Sequence, residues 1–174
     1  MSEMRELANT FLQACLRRGI LVATAESCTG GGIIALLTDI PGSSSMVDRG
    51  FVTYSNEAKI DMLGVGATTL AEHGAVSEQT ALEMAAGALA HSRAGIALSV
   101  TGIAGPDGGS ADKPVGLVWI GLALSGTPPV AVRHQFADNG RDFVRRETIW
   151  AALAMGIEAL DGPAQAAGAA SGAP

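Results

Sequence analysis

The sequence predicts an α/β fold: a single three-layer α/β/α domain with a mixed sheet between its helices. Three observations carry that expectation. Segments with apolar residues three and four apart alternate along the chain with short β-type runs. The length of 174 residues suits one domain. Hydrophobic residues make up 48% of the chain while aromatics make up 4%, so the core has to be built from Ala, Val, Ile, Leu and Met. The many Ala and Gly residues allow the close approach of helix to sheet that layered packing requires.

The elements follow in order. Met4, Leu7, Phe11, Cys15 and Leu16 recur at helical spacing and predict an amphipathic helix from about Ser2 to Arg18, ended by Gly19. Cys15 falls on its apolar side, as a small buried hydrophobe does. Ile20 to Thr24 is a short β-type run, and a second helix is expected from Cys28 or Thr29 to about Thr38. Pro41 to Ser45 is a turn. Val47 to Ser55 reads as a strand, with Phe51, Val52 and Tyr54 favouring extended structure. Asn56 is a candidate cap for a short helix through Leu63.

A further helical turn or two is expected from Thr68 or Thr69 to His73. Ser77 opens a stronger helix, without a full capping box because Thr80 and not Glu stands at N3. Leu82, Ala85, Ala86 and Leu89 are its expected apolar face. Ile96 to Thr101 is a buried-type strand. Val115 to Leu124 and Val130 to Phe136 are strands joined as a hairpin through Ser125–Pro129. Asp142 to Leu160 is the last long helix, with Phe143, Ile149, Leu153 and Ile157 inward. From Gly162 onward the chain is Ala, Gly, Pro, Ser and Gln, too poor in apolar bulk to offset its ordering entropy. The expected organisation is a domain over residues 1–161 and a mobile tail over 162–174. There is no internal repeat.

Composition excludes several classes of function. The formal net charge is −6, from 11 Lys+Arg against 17 Asp+Glu, and the basic residues are scattered except around Arg141 to Arg146. A non-specific nucleic-acid surface needs a clustered positive patch, so no nucleic-acid partner is expected. A small anionic ligand needs one or two cations and stays open. With Cys15 and Cys28 alone, a disulfide framework and a four-cysteine zinc site are both excluded. The amino terminus carries acids and bases throughout, unlike a signal peptide. No run approaches the roughly 20 apolar residues of a membrane span. A cytoplasmic protein without membrane attachment is expected.

Three loops set glycine beside hydroxyls and charges. The first, Glu26 to Gly32, passes from a strand end into a helix. Helix N-termini expose unpaired amides that suit a phosphate or a developing oxyanion. Ser27 there is a candidate nucleophile; in ordinary N-cap usage Ser27 or Thr29 simply caps the helix. The second loop, Gly50 to Lys59, brings Tyr54 and Lys59 to one side. A partly desolvated lysine serves as base to a serine because burial lowers its pKa. A lysine on a solvated helix face is the commoner case by position alone. The third loop, Thr101 to Gly109, has glycines, Gly102 and Gly105 among them, that allow positive φ and close backbone approach to a ligand. It is neither a Walker loop nor a GxGxxG turn. Glu26 and Asp107 lack His partners, and His73, His91 and His134 fit no metal spacing, so no metal site is expected. His91 and His134 read as surface or strand-edge residues.

Several of these segments together resemble the CinA C-terminal domain family. The matching pieces are TAESCTGG (24–31), PGSS (41–44), GFVTYSNEAK (50–59), HGAVSE (73–78), TGIAGPDGG (101–109) and KPVG (113–116). GRDFVRRET (140–148) is similar to the start of the family's closing helix. The resemblance spans almost the whole chain apart from the tail, in a fixed order of multi-residue motifs.

The resemblance implies an amidase that converts nicotinamide mononucleotide to nicotinate mononucleotide and ammonia. By motif, Ser27 becomes the nucleophile, Lys59 its base and Tyr54 a proton-relay or orienting hydroxyl. Gly30, Gly31, Ser44, Thr101, Gly102, Gly105 and Arg141 are the implied substrate-binding residues, with Arg141 the cation for the 5′-phosphate. Ser44 is the alternative nucleophile. No metal and no organic cofactor is implied, the partner is a small pyridine nucleotide, and a homodimer is expected. Two rivals stand beside this reading: a nucleotide-binding regulatory module with little turnover, and a hydrolase of a different nucleotide amide.

Overall fold

A computed structural model of the chain describes residues 3–162. The expectation of a mobile tail, and the start of the first helix at Ser2, lie outside the described residues. The elements run α1 (Glu3–Arg18), β1 (Val22–Glu26), α2 (Gly32–Thr38), a 3-10 turn (Ser43–Ser45) and β2 (Val47–Val52). Then come α3 (Asn56–Leu63), α4 (Ala67–His73), α5 (Glu78–Ala90), β3 (Ile96–Gly102), β4 (Leu117–Leu124), β5 (Val130–Gln135) and α6 (Arg141–Asp161). The strands form one five-stranded sheet in the order β2-β1-β3-β4-β5. β1 pairs in parallel with β2 and β3, and β4 and β5 extend the sheet antiparallel as a hairpin. The sheet is mixed, as expected.

Strand alternation builds the two layers of core. Val22 of β1, Ile96, Leu98 and Val100 of β3, and Val118, Ile120 and Leu122 of β4 turn to one face, where they meet Phe11, Leu12, Ile33, Leu37 and Leu153 from α1, α2 and α6. The opposite face is made of small residues: Ala23, Ala25, Ala97 and Ala123 pack against Leu63, Met84, Ala85 and Ala88. Small side chains there let α5 lie close to the sheet. Ser99 Oγ donates to the Ala81 carbonyl at 2.7 Å. A Cβ on Gly87 of α5 would stand 2.0 Å from the Leu63 carbonyl oxygen. The Ala- and Gly-rich, aromatic-poor composition is therefore a packing requirement of this face. None of the described helices is long and apolar enough to cross a membrane.

Some boundaries differ from expectation for local reasons. β1 runs two residues later than Ile20 to Thr24, so Glu26 is its last residue and Ser27 follows directly. α2 begins at Gly32 and not at Cys28 or Thr29, because Gly30 and Gly31 hold φ of 60° and 94°, outside the helical range. α3 is capped by Ser55 and not by Asn56: the Ser55 hydroxyl accepts from the Ala58 amide at 3.0 Å. On α5, Ala81, Met84, Ala85 and Ala88 point inward, while Ala86 is exposed and Leu82 half-buried. The inward stripe is set one residue away from the one the leucines suggest. Ser77 caps that helix through the Thr80 amide, as expected.

Candidate active site

In the sheet order, β1 is flanked by β2 on one side and β3 on the other, so the connections leaving β1 and returning to β3 diverge at its carboxyl end. A crevice opens at such a switch point in α/β sheets. Alternation decides what projects there. Ala23 and Ala25 turn to the α5 side and Glu26 to the α2 side, so Ser27 continues the row of the alanines. The Ser27 amide donates to the Val100 carbonyl at 3.0 Å, which extends the β1–β3 ladder by one bond and holds the serine at the strand end.

Lys59 comes to Ser27 from α3. Its side chain is almost fully buried, and Nζ donates to Ser27 Oγ at 3.2 Å and to the Thr53 carbonyl at 2.9 Å. Among the described residues it forms no ion pair. Burial without a compensating carboxylate disfavours the ammonium and moves the Lys59 pKa below the ordinary lysine value, against a smaller opposing effect of Cys28. The same burial pushes the Cys28 thiol up to about 12, so Cys28 is a protonated wall residue at neutral pH.

The cavity around this pair has a volume of about 190 Å³. It is lined by Ser27, Tyr54, Lys59, Thr101, Gly102 and Arg141, with Cys28, Ala75, Val76 and Ala104 supplying apolar wall. Six of the sequence-derived positions thus converge on one space. Tyr54 is 63% exposed and stands at the mouth, its hydroxyl accepting from Arg141 at 3.2 Å. Arg141, the first residue of α6, also donates to the Gly105 carbonyl at 2.9 Å. Gly105 therefore fixes Arg141 from behind. Thr101 gives its hydroxyl hydrogen to the Ala75 carbonyl at 2.6 Å, tying β3 to the segment before α5.

The remaining positions lie elsewhere. Gly30 and Gly31 form the turn after Ser27, and the Gly30 amide donates to the Ser27 carbonyl at 3.0 Å. Ser44 is exposed in the 3-10 turn that leads into β2. Val47 of β2 is in register with Val22, the first residue of β1, so that turn belongs to the opposite end of the sheet. Ser44 does not join the cavity within this chain. Glu26, weighed with Asp107 as a metal-type carboxylate, is fully buried and spends its oxygens on Thr24, Thr29 and the first amides of α2. Sequence reasoning missed that role, and it missed the wall residues Ala75, Val76 and Ala104. The strand periodicity of 22–26 carried the signal for Glu26, since it puts the carboxylate on the face opposite Ser27.

The CinA C-terminal domain family matches residues 4–160. The nicotinamide-nucleotide amidohydrolase PncC of Escherichia coli strain K12 is 53% identical over 152 residues, 87% of this chain and 92% of that protein. The protein of the same name from Enterobacter agglomerans is 52% identical, over 83% of this chain and 89% of that protein. Among solved structures, the competence/damage inducible protein CihA of Agrobacterium tumefaciens superposes with a TM-score of 0.88 at 52% identity, covering 92% of this chain and 99% of that one. A CinA superfamily protein of Klebsiella pneumoniae superposes with a TM-score of 0.87 at 37% identity, covering 91% and 98%.

Proposed function

We propose, for a chain that belongs to the CinA C-terminal domain family, the activity of a nicotinamide-nucleotide amidohydrolase working through Ser27 and Lys59. One observation carries the mechanism: a buried lysine amine, without an ionic partner among the described residues, stands 3.2 Å from a serine hydroxyl that lines a cavity. Relatives that span most of their length with this chain and carry the amidohydrolase name support the substrate class.

The chemistry follows from the residue types. Neutral Lys59 takes the Ser27 proton as Oγ attacks the carboxamide carbon of the nicotinamide nucleotide. The Thr53 carbonyl holds one Nζ hydrogen, and the neutral amine keeps a lone pair for the serine proton. Backbone amides of the turn that includes Gly30 and Gly31 receive the developing oxyanion, each such donor being worth about 3 kcal/mol in acyl-transfer sites. With the Gly30 amide engaged on the Ser27 carbonyl and the Gly32 amide on the Thr29 carbonyl, the Gly31 amide is the donor of choice. The Lys59 ammonium then protonates the departing nitrogen, the C–N bond breaks and ammonia leaves. Water, deprotonated by Lys59 in its turn, attacks the Ser27 ester; Lys59 returns that proton to Ser27 Oγ as the C–O bond breaks, and the nicotinate nucleotide is released. Tyr54 serves as the orienting or relay hydroxyl at the mouth, and Arg141 as the cation for the phosphate. Thr101 and Gly102 shape the wall.

We also read the protein as a homodimer, supported by the exposed Val130 and Val132 on the edge strand β5; a monomeric mass by light scattering at micromolar concentration would end that assignment. The central test is ammonia release from a panel of pyridine nucleotides and other nucleotide amides. Turnover of nicotinamide mononucleotide that vanishes in Ser27→Ala is expected. Binding without ammonia release would favour the regulatory module, and turnover of another amide alone would move the substrate assignment.

A further inference from the structure

The turn that carries Ser27 is tied down by a side chain outside the cavity. Glu26 is fully buried beneath it. One carboxylate oxygen accepts from the Thr29 hydroxyl at 2.6 Å and from the Ile33 amide at 2.9 Å. The other accepts from the Ile34 amide at 2.9 Å and from the Thr24 hydroxyl at 3.3 Å. Residues 27 to 32 are thereby closed into a loop between the carboxylate at the end of β1 and the first amides of α2. α2 itself has no side-chain cap at Gly31, so Glu26 performs that task from seven and eight residues upstream. A buried carboxylate offers acceptors on both oxygens, and four donors are aimed at them. A glutamine of the same shape presents an N–H₂ to one pair. The threonine in that pair can rotate to accept from it, but the helix amide cannot.

The same geometry bears on the substrate. The first amides of α2 are engaged by the Glu26 carboxylate and are not open to the phosphate of a nucleotide, whereas Arg141, beside Tyr54, is a cation on the cavity wall.

We propose that Glu26 is a positioning residue: by gathering Thr29, Ile33 and Ile34 it holds the Ser27–Gly31 turn so that Ser27 Oγ meets Lys59. The proposal rests on the reading of Ser27 as nucleophile. Misplacing a reacting group by about 1 Å costs on the order of 100-fold in rate. Glu26→Gln is expected to lower kcat by roughly 30-fold or more, with KM for nicotinamide mononucleotide changed by less than about three-fold.

Two readouts separate positioning from mere stability. The first is the rate at which a serine-directed sulfonyl fluoride modifies Ser27, followed by intact mass with Ser27→Ala as blank. It should fall in Glu26→Gln in proportion to kcat, in protein whose thermal unfolding is cooperative. The second is Thr29, whose hydroxyl is one of the donors. Thr29→Val should lose activity about ten-fold while Thr29→Ser stays within two-fold, and Thr29→Val should add little in the Glu26→Gln background. A folded Glu26→Gln enzyme with kcat within three-fold of wild type overturns the proposal, as does a loss confined to KM. Should Glu26→Gln fail to fold, a silent Thr29→Val overturns it and the ten-fold loss upholds it. Failure of the nucleophile reading looks different: Ser27→Ala would then retain turnover, and the reagent would not label Ser27 in the wild type.

Discussion

At the carboxyl end of β1, Ser27 is 9% exposed and bonded to a buried amine, whereas at the amino end of the neighbouring β2, Ser44 lies exposed in a 3-10 turn. Each serine has a glycine within a few residues, Gly30 after Ser27 and Gly42 before Ser44. The strand between the two ends puts them on the order of 15 Å apart along its axis. The ends also use glycine differently. Gly102, where β3 reaches the cavity, is required by space: a Cβ there would stand 2.6 Å from Val118 Cγ2 and 2.8 Å from the Leu117 carbonyl oxygen. Gly42, at the other end, has φ of 84° and nothing within 4 Å, so backbone conformation alone requires it. One end is crowded, desolvated and convergent, the other open. Parallel strands produce this asymmetry, because the connections that cross over β1 close around its carboxyl end.

The sharpest way to break the contrast is to exchange the fates of the two serines. Ser27→Ala is expected to lower kcat by roughly 10⁴-fold or more with the fold intact, while Ser44→Ala changes it by less than about two-fold. Ammonia release and circular dichroism on both variants decide it; a working Ser27→Ala enzyme would end the case for this end of the sheet.

Next in size is the lysine. Lys59→Arg keeps a cation but cannot accept a proton, and a loss of about 10³-fold in kcat/KM is expected for a missing general base. The direction of the pH dependence follows from the lowered pKa: protonated Lys59 is inactive, so activity falls as pH drops through that pKa and rises above it. The plateau should be reached below the ordinary lysine value of about 10.4. Lys59→Arg within a few-fold of wild type would leave Ser27 without a base.

Arg141 measures how far the convergent end extends toward solvent. Arg141→Ala is expected to raise KM for the mononucleotide about 10- to 30-fold, as loss of a charge-assisted contact does. The riboside, which lacks the phosphate, should be affected much less. Equal losses on both substrates would remove the phosphate role and leave Arg141 as the partner of Tyr54 and Gly105.

The smallest effects are the glycines. Gly102→Ala should cost about 1–3 kcal/mol by overpacking and reduce activity. Gly42→Ala should cost about 1–2 kcal/mol from its left-handed φ and leave kcat unchanged. Urea midpoints at constant m read the first quantity. Activity loss in Gly42→Ala would show the two ends to be coupled after all.

Much of the fold was legible in the residues. The helical spacing of Met4, Leu7 and Phe11 and the Ser77 cap stand where periodicity and turn chemistry put them. The expected hairpin over 115–136 forms with its first strand starting two residues later, at Leu117, and its second ending at Gln135. The boundaries that shifted did so where a nonlocal partner prevailed. β1 extends to Glu26 because Val52 and Val100 pair with it on both sides. α5 turns its small residues inward because the sheet face opposite is also made of small residues. For the site, the hydroxyl, amine and glycines were visible as candidates, but spacing alone favoured Ser27 as a cap and Lys59 as a surface residue.

By itself the sequence determined the periods, the turns and the stock of reactive groups, because these depend on neighbours a few residues away. The tertiary structure alone decided that Lys59 meets Ser27 across 32 positions of chain, that Ser44 stands apart, and that Glu26 faces α2. Desolvation and hydrogen-bond partnership are sums over everything packed around a group. They exist once β2, β1 and β3 lie side by side, and local spacing carries no record of them.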